Sequence, residues 1–254
     1  MTVTFLGTGT SQGVPVIACG CEICTSPDTH DKRLRTSILI EAEDKTIVID
    51  SGPDFRYQML RAGVKRLDAI VFTHEHKDHI AGMDDIRAFN YWQMGPVDIY
   101  ADARVQKALV REFPYVFDGT GYPGIPQVVV HPIDHTHPFT IGSIKLTPVE
   151  VLHYKLPVLG FRINDFTYIT DAKTVSETEK QKIKGTKTLV INALQKQTHI
   201  SHFTLDEAIA FANDIGAETT YLTHISHRLG RHADISKELP DNVKLAYDGL
   251  VLTI

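Results

Sequence analysis

The chain has 254 residues, 43% apolar and 22% charged, with a net charge of −5, a globular composition that excludes a fibrous or disordered protein. The acidic balance argues against bulk nucleic-acid binding, which draws on many Lys and Arg set against phosphates. No run approaches the ~20 consecutive apolar residues that span a bilayer, and the start at Met1 lacks a basic, cleavable leader, so one cytoplasmic domain over 1–254 is expected.

Short β-branched apolar runs mark strands at 3–6, 37–40, 46–49, 69–72, 97–100, 128–130, 144–151, 158–163, 167–169, 188–191, 219–222 and 243–246. Helical stretches are expected at 55–62, 82–89, 103–113, 176–183 and 204–215, the last with Thr204 as cap and Glu207 completing a capping box. Several strands precede the first long helix, and both halves then mix the two types. That order disfavours an alternating βα barrel and suits two sheets with helices outside. A Gly/Pro-rich stretch at 118–126 reads as a connection or a pocket lining.

Chemistry concentrates in two places. Cys19, Cys21 and Cys24 form a Cys-x-Cys-x2-Cys cluster, a poor disulfide framework whose three thiolates want a fourth ligand for a closed tetrahedral zinc. His227 is the partner expected. The second place is His74-Glu75-His76-Lys77-Asp78-His79, directly after the apolar run at 69–72. Crowded imidazoles repel when protonated, whereas a divalent cation turns the crowding into binding energy. His74 and His76 alternate along an extended chain and point the same way, while Asp78 and His79 fall where the chain turns into a helix. Further metal-capable residues follow apolar strands: His153, Asp171 and His224.

This His-x-His-x-Asp-His pattern, with the opening Phe5-Leu6-Gly7-Thr8-Gly9-Thr10 and the later His153, Asp171 and His224, resembles the metallo-β-lactamase superfamily over nearly the whole chain. The resemblance implies a four-layer αβ/βα sandwich. It implies one metal held by His74, His76 and His153, a second by Asp78, His79 and His224, and Asp171 bridging them. Asp50 resembles the carboxylate that orients a ligand histidine in such sites. A carboxylate at 171, where the lactamases carry cysteine, suits two hard ions that activate a shared water and clamp phosphoryl oxygens. Three cysteines with His227 beside the dinuclear centre resemble the cyclic phosphodiesterase branch of carbon-phosphorus lyase operons. There a histidine before the capped helix enters the active site, a place that falls to His202 and leaves His199 outside.

The expectation is therefore a metal-dependent hydrolase with two catalytic divalent ions, zinc or manganese, and one structural zinc. It would act on a small or cyclic phosphodiester, with Asp78 orienting the nucleophile and His202 assisting departure. Hydrolysis of esters, thioesters or lactams is the alternative within the same fold, and a non-catalytic accessory role in coenzyme biosynthesis is a third. Arg56, Lys155 and Arg228 are candidates to neutralise substrate phosphate, and His30, His131, His135, His137 and His232 are expected at the surface, His232 near the entrance. A homodimer stays open.

Overall fold

The computed structural model describes residues 1–119 and 123–254. In chain order the strands are β1 (Thr2–Gly7), β2 (Ser37–Ala42), β3 (Lys45–Ile49), β4 (Ala69–Val71), β5 (Val97–Ala101), β6 (Val128–Pro132), β7 (Phe139–Ile141), β8 (Ile144–His153), β9 (Leu156–Ile163), β10 (Phe166–Tyr168), β11 (Thr174–Val175), β12 (Thr188–Asn192), β13 (Thr219–Thr223), β14 (Val243–Leu245) and β15 (Val251–Thr253). The helices are α1 (Phe55–Ala62), α2 (Lys77–Ile80), α3 (Arg87–Gln93), α4 (Ala103–Glu112), α5 (Pro114–Phe117), α6 (Glu177–Ile183), α7 (Leu205–Ile215) and α8 (His232–Glu238).

One sheet has the order β15-β1-β2-β3-β4-β5-β6 and the other β11-β8-β9-β10-β12-β13-β14, with β7 on β8. The period of two along each strand sorts the core into layers. In β2, Ile38 and Ile40 face the second sheet and meet Phe161, Phe166 and Tyr168. Leu39, between them, faces the other way and packs with Phe55, Met59, Phe89 and Val105 of the first sheet's helices. The second sheet repeats the scheme, with Leu189 and Ile191 of β12 packed against Ala208, Phe211 and Ala212 of α7. The result is helix, sheet, sheet, helix: the four-layer αβ/βα sandwich expected from the resemblance.

All twelve expected strands form. The structure adds β7, β11 and β15, three residues or fewer each, which a sequence reading cannot separate from loops because pairing alone defines them: β15 exists through Thr2↔Thr253 and Val3↔Leu252. The expected helix at 82–89 is corrected to a 3₁₀ turn, Met83–Ile86, leading into α3. There Gly82 is pressed so closely on the Gly52 carbonyl that a Cβ would sit 2.1 Å from it. The capping box of α7 is present as read, Thr204 accepting from Glu207 N–H and Glu207 from Thr204 N–H. Of the Gly/Pro-rich stretch, residues 120–122 lie outside the described residues, and Gly124, Ile125 and Pro126 line a hollow with Asp84, Arg87 and Tyr115 that holds none of the clustered histidines. Among the described residues no helix is long and apolar enough to cross a membrane.

Candidate metal centre

Parallel pairing of β3 with β4, of β10 with β12 and of β12 with β13 brings the carboxyl ends of strands from both sheets to one edge of the sandwich, the position where open α/β sheets place their sites. Asp50 follows β3, His74 follows β4, Asp171 follows β10 and His224 follows β13, while His153 ends β8. Three of these, Asp50 (φ 65°), Asp171 (φ 57°) and His224 (φ 53°), adopt left-handed backbone conformations. Such conformations are uncommon outside glycine and mark places where surroundings over-determine the chain.

Asp50 is completely buried and organises the centre. Its carboxylate accepts from the Thr73 amide and hydroxyl, each at 2.8 Å, and from His79 Nδ1 at 2.7 Å. Thr73 Oγ1 in turn lies 2.9 Å from His74 Nδ1. Both histidines thus have Nδ1 engaged with a partner behind them, which turns Nε2 toward the cleft. His153 is fixed the same way, its Nδ1 donating to the Ser201 carbonyl at 2.9 Å. Gly52 completes the arrangement, since a Cβ there would lie 2.0 Å from the Asp78 carbonyl; only glycine lets the loop after β3 pack on α2 and set Asp78 in place.

The side chains converge. Ligand atoms of His74, His79 and Asp171 lie within 4.8 Å of one another, as do those of Asp78, His79 and His224, and those of His153, Asp171 and His202. Asp171 sits at the middle, Oδ2 at 3.4 Å from His79 Nε2 and Oδ1 at 3.1 Å from His224 Nε2. His76 Nδ1 is 3.1 Å from His74 Nε2, and its ring centroid is 5.3 Å from that of His153. His202 stacks on His224 at 4.6 Å, while His199 stands a further ring outward, 5.1 Å from His202. The histidine that enters the cluster is therefore His202.

The electrostatics follow from burial and sign. Burial, reinforced by neighbouring His79, holds His74 well below the ordinary imidazole range, and burial with His224 beside it lowers His202. Burial also opposes the charge on His79, but the carboxylates of Asp78, Asp50 and Asp171 outweigh it and raise that group. Burial works against ionisation of Asp171, and His224 and His79 prevail in keeping it ionised. Yet His79 Nε2, His202 Nδ1 and both nitrogens of His224 are buried without a hydrogen-bond partner. Orphaned buried nitrogens cost free energy unless something else satisfies them. Lone pairs of imidazole and carboxylate, crowded and aimed inward, are what a divalent cation needs.

The second cluster is as compact. Sγ of Cys19, Cys21 and Cys24 lie 3.4, 3.4 and 3.5 Å from His227 Nδ1. A tetrahedral zinc with bonds of ~2.3 Å to sulfur and ~2.0 Å to nitrogen separates those atoms by about 3.5 Å. The Cys24 amide and neighbouring His227 bring the Cys21 thiol down to about 6, while burial pushes Cys24 up to about 11. Every residue expected as a ligand from the sequence thus lies in one cluster or the other. Thr73 is a residue the sequence reading does not single out, and its place just before the first histidine of the motif is the available signal. Three of the five remaining histidines are corrected: His30, His131 and His232 are half-buried rather than exposed. His232 stacks on His30 at 4.9 Å and lies 3.2 Å from Arg33 Nη2, away from the entrance.

With the geometry established, comparison with known proteins gives the family. Residues 45–225 match the Beta-lactamase superfamily domain, and the chain belongs to that superfamily, a hydrolase fold that binds divalent metal. The crystal structure of a diphosphatase from the PhnP family superposes with a TM-score of 0.93, at 38% identity over 100% of this chain and 97% of that one, and the present protein belongs to this PhnP-like branch. Zn²⁺-bound PqqB from Methylobacterium extorquens shares the fold, with a TM-score of 0.79 at 19% identity and complete coverage of both chains. A Porphyromonas gingivalis protein named octanoyltransferase is 38% identical over 98% of this chain, which spans only about half, 51%, of that longer protein.

Proposed function

We propose that the protein is a metal-dependent phosphodiesterase that hydrolyses a small phosphodiester or the P–O–P bond of a small diphosphate. The observation that carries this reading is the buried carboxylate of Asp171, 3.1 Å from His224 and 3.4 Å from His79 on one side and clustered within 4.8 Å with ligand atoms of His74 and of His153 on the other. An all-oxygen and imidazole donor set suits a pair of hard cations better than a thiolate would. His74, His76 and His153 would hold one ion and Asp78, His79 and His224 the other, with Asp171 shared; Cys19, Cys21, Cys24 and His227 would hold a structural zinc. Bound there, paired divalent cations supply Lewis acidity to a water and to phosphoryl oxygens.

The chain's own residues do the rest. Asp50 and Thr73 lock the orientation of His79 and His74, so the cluster is preorganised before substrate arrives. Asp78, in the first turn of α2 with a ligand atom within 4.8 Å of those of His79 and His224, would orient the attacking water. His202, on the cleft side of His153 and His224, presents its ring to a phosphoryl oxygen or the departing oxygen, where an N–H steadies developing negative charge. The cleft beyond it is lined by Thr10, Gln12, Gln195 and Ser226 beside Val16 and Leu194, and its polar groups suit an anionic ester.

Purified protein loaded with zinc or manganese, assayed on bis(4-nitrophenyl) phosphate, 2′,3′-cyclic AMP and ADP-ribose beside S-lactoylglutathione and nitrocefin, tests the reading. Turnover confined to the phosphate compounds is expected. Thioester or lactam turnover without any phosphodiester turnover would sink it.

A further inference from the structure

Sequence alone offers three unassigned cations as phosphate neutralisers, and the structure separates them. Arg56 lines a groove between α1 and α3 with Phe55, Met59 and Leu60. Lys155 lies over the exposed ring of Tyr154, 5.3 Å from its centroid. Arg228 lines the same cleft as His202 and His224, and it is the one Lys or Arg among the described lining residues of that cleft.

The backbone that presents Arg228 is pinned at three points. His224, at the end of β13, sits in the histidine cluster, and His227 sits among the three thiols. Between them Ser226 bonds the Leu194 carbonyl through its amide and its hydroxyl, at 3.0 and 2.8 Å, and takes the Arg228 amide at 3.1 Å. The guanidinium itself has no ion pair or hydrogen bond among the described residues. The other arginines near the cleft are committed: Arg35, which donates to the carbonyl of the cleft residue Ser11, pairs with Asp54 at 3.2 Å, and Arg231, three residues on from Arg228, pairs with Glu22 at 3.2 Å. A fixed backbone carrying an uncommitted, solvent-accessible guanidinium beside a polar cleft of about 250 Å³ is a built receptor for a second anionic group. The cleft is smaller than the ~300–1,000 Å³ typical of pockets for drug-sized ligands.

We infer that Arg228 reads the second phosphoryl group of a diphosphate-containing substrate, which rests on the phosphodiesterase reading above. A simple phosphodiester carries one negative charge, which the histidine cluster receives; a diphosphate diester carries a second charge one P–O–P link away, toward the loop of Arg228. In hydrolysis a water oxygen bonds to the phosphorus at the cluster and the bridging P–O bond breaks. Its electron pair stays on the leaving phosphate and the water proton passes to solvent. The charge gained by the leaving phosphate then lies against a guanidinium, whose planar fork matches a phosphate bidentately.

The test compares wild type, Arg228→Gln and Arg228→Lys on ADP-ribose, a diphosphate diester, and bis(4-nitrophenyl) phosphate, a simple one. Binding of methylenediphosphonate and of orthophosphate to the metal-loaded proteins is measured by calorimetry alongside. Arg228→Gln is expected to lose at least about tenfold more kcat/KM on ADP-ribose than on the simple diester, to weaken methylenediphosphonate selectively, and to be partly rescued by lysine. Equal effects on both substrates, with methylenediphosphonate affinity unchanged, would overturn the role of Arg228 and leave the phosphodiesterase reading standing. Wild type inert toward both substrates would overturn that reading, and methylenediphosphonate then binding no more tightly than orthophosphate would overturn the inference with it.

Discussion

The most discriminating perturbation is Asp50→Asn, which changes one atom at a group that touches no substrate. The Asp50 carboxylate accepts three hydrogen bonds of 2.7–2.8 Å, from the Thr73 amide, the Thr73 hydroxyl and His79 Nδ1. An asparagine keeps the first through its oxygen, but its NH₂ then faces the hydroxyl and the imidazole N–H, donor against donor. The hydroxyl can rotate; the imidazole can only move its proton to Nε2. That atom is buried without a hydrogen-bond partner, 3.2 Å from Asp78 and 3.4 Å from Asp171, and with a proton it can no longer coordinate. Loss of such an orienting partner costs metal affinity about 10–100-fold, or ~1.4–2.7 kcal/mol. Burial raises the pKa of Asp50 despite the opposing pull of His79, so the neutral amide spares the metal-free fold a desolvation cost, and metal binding should suffer more than metal-free stability. Chelator competition measures the affinity, and ¹⁵N spectra of the imidazoles report the tautomer. Affinity within about twofold of wild type, with the His79 proton still on Nδ1, would refute the reasoning.

His202→Ala is expected to retain its metals, by elemental analysis, while turnover of bis(4-nitrophenyl) phosphate falls by roughly 10²–10⁴; full activity would remove His202 from the chemistry. Cys24→Ala should leave each chain one zinc short and lower Tm by at least about 2–4 °C, the shift that ~1 kcal/mol makes in a chain of this size, whereas unchanged zinc content would show that the thiol trio is not a site. His232 gives a pH dependence independent of the metals. Burial and neighbouring Arg33 push it down to about 4 from 6.5, with His30, Asp28, Asp31 and Tyr247 also facing it. Between those values the unfolded chain takes up a proton that the folded one refuses, so stability falls as pH drops from about 6.5 to 4. Urea denaturation across that window should show a shallower fall for His232→Asn than for wild type, and parallel curves would contradict the assignment.

What the sequence made legible, and what it hid, divides along a physical line. The clustering residues were readable because metals demand particular atoms at particular spacings: Cys19, Cys21 and Cys24 within six residues, or His74 and His76 alternating before a helix. Strands with apolar period two were readable for a similar reason, each declaring its face through its own residues. Hidden were the elements and contacts that exist only through a distant partner: β15, three residues long, the hydroxyl of Thr73 between Asp50 and His74, and the half-buried His232 against Arg33. Arg228 is a further instance: it follows His227 in the chain, but Lys155 likewise stands close behind His153, and the folding of the His224–His227 loop onto Leu194 is what sets Arg228 at the cleft. The same distinction explains the backbone of the centre. Asp50, Asp171 and His224 each follow a strand in a left-handed conformation, at φ 65°, 57° and 53°, which no propensity would assign to them. That conformation directly follows β3 at Asp50 and β13 at His224 and comes three residues past β10 at Asp171, and each side chain lies within the cluster at the sheet edge. Its cost of roughly 1–3 kcal/mol per residue is sustained by the packing of two complete sheets behind it. The candidate ligands are thus written in the sequence one by one, while their convergence is a property of the whole sandwich.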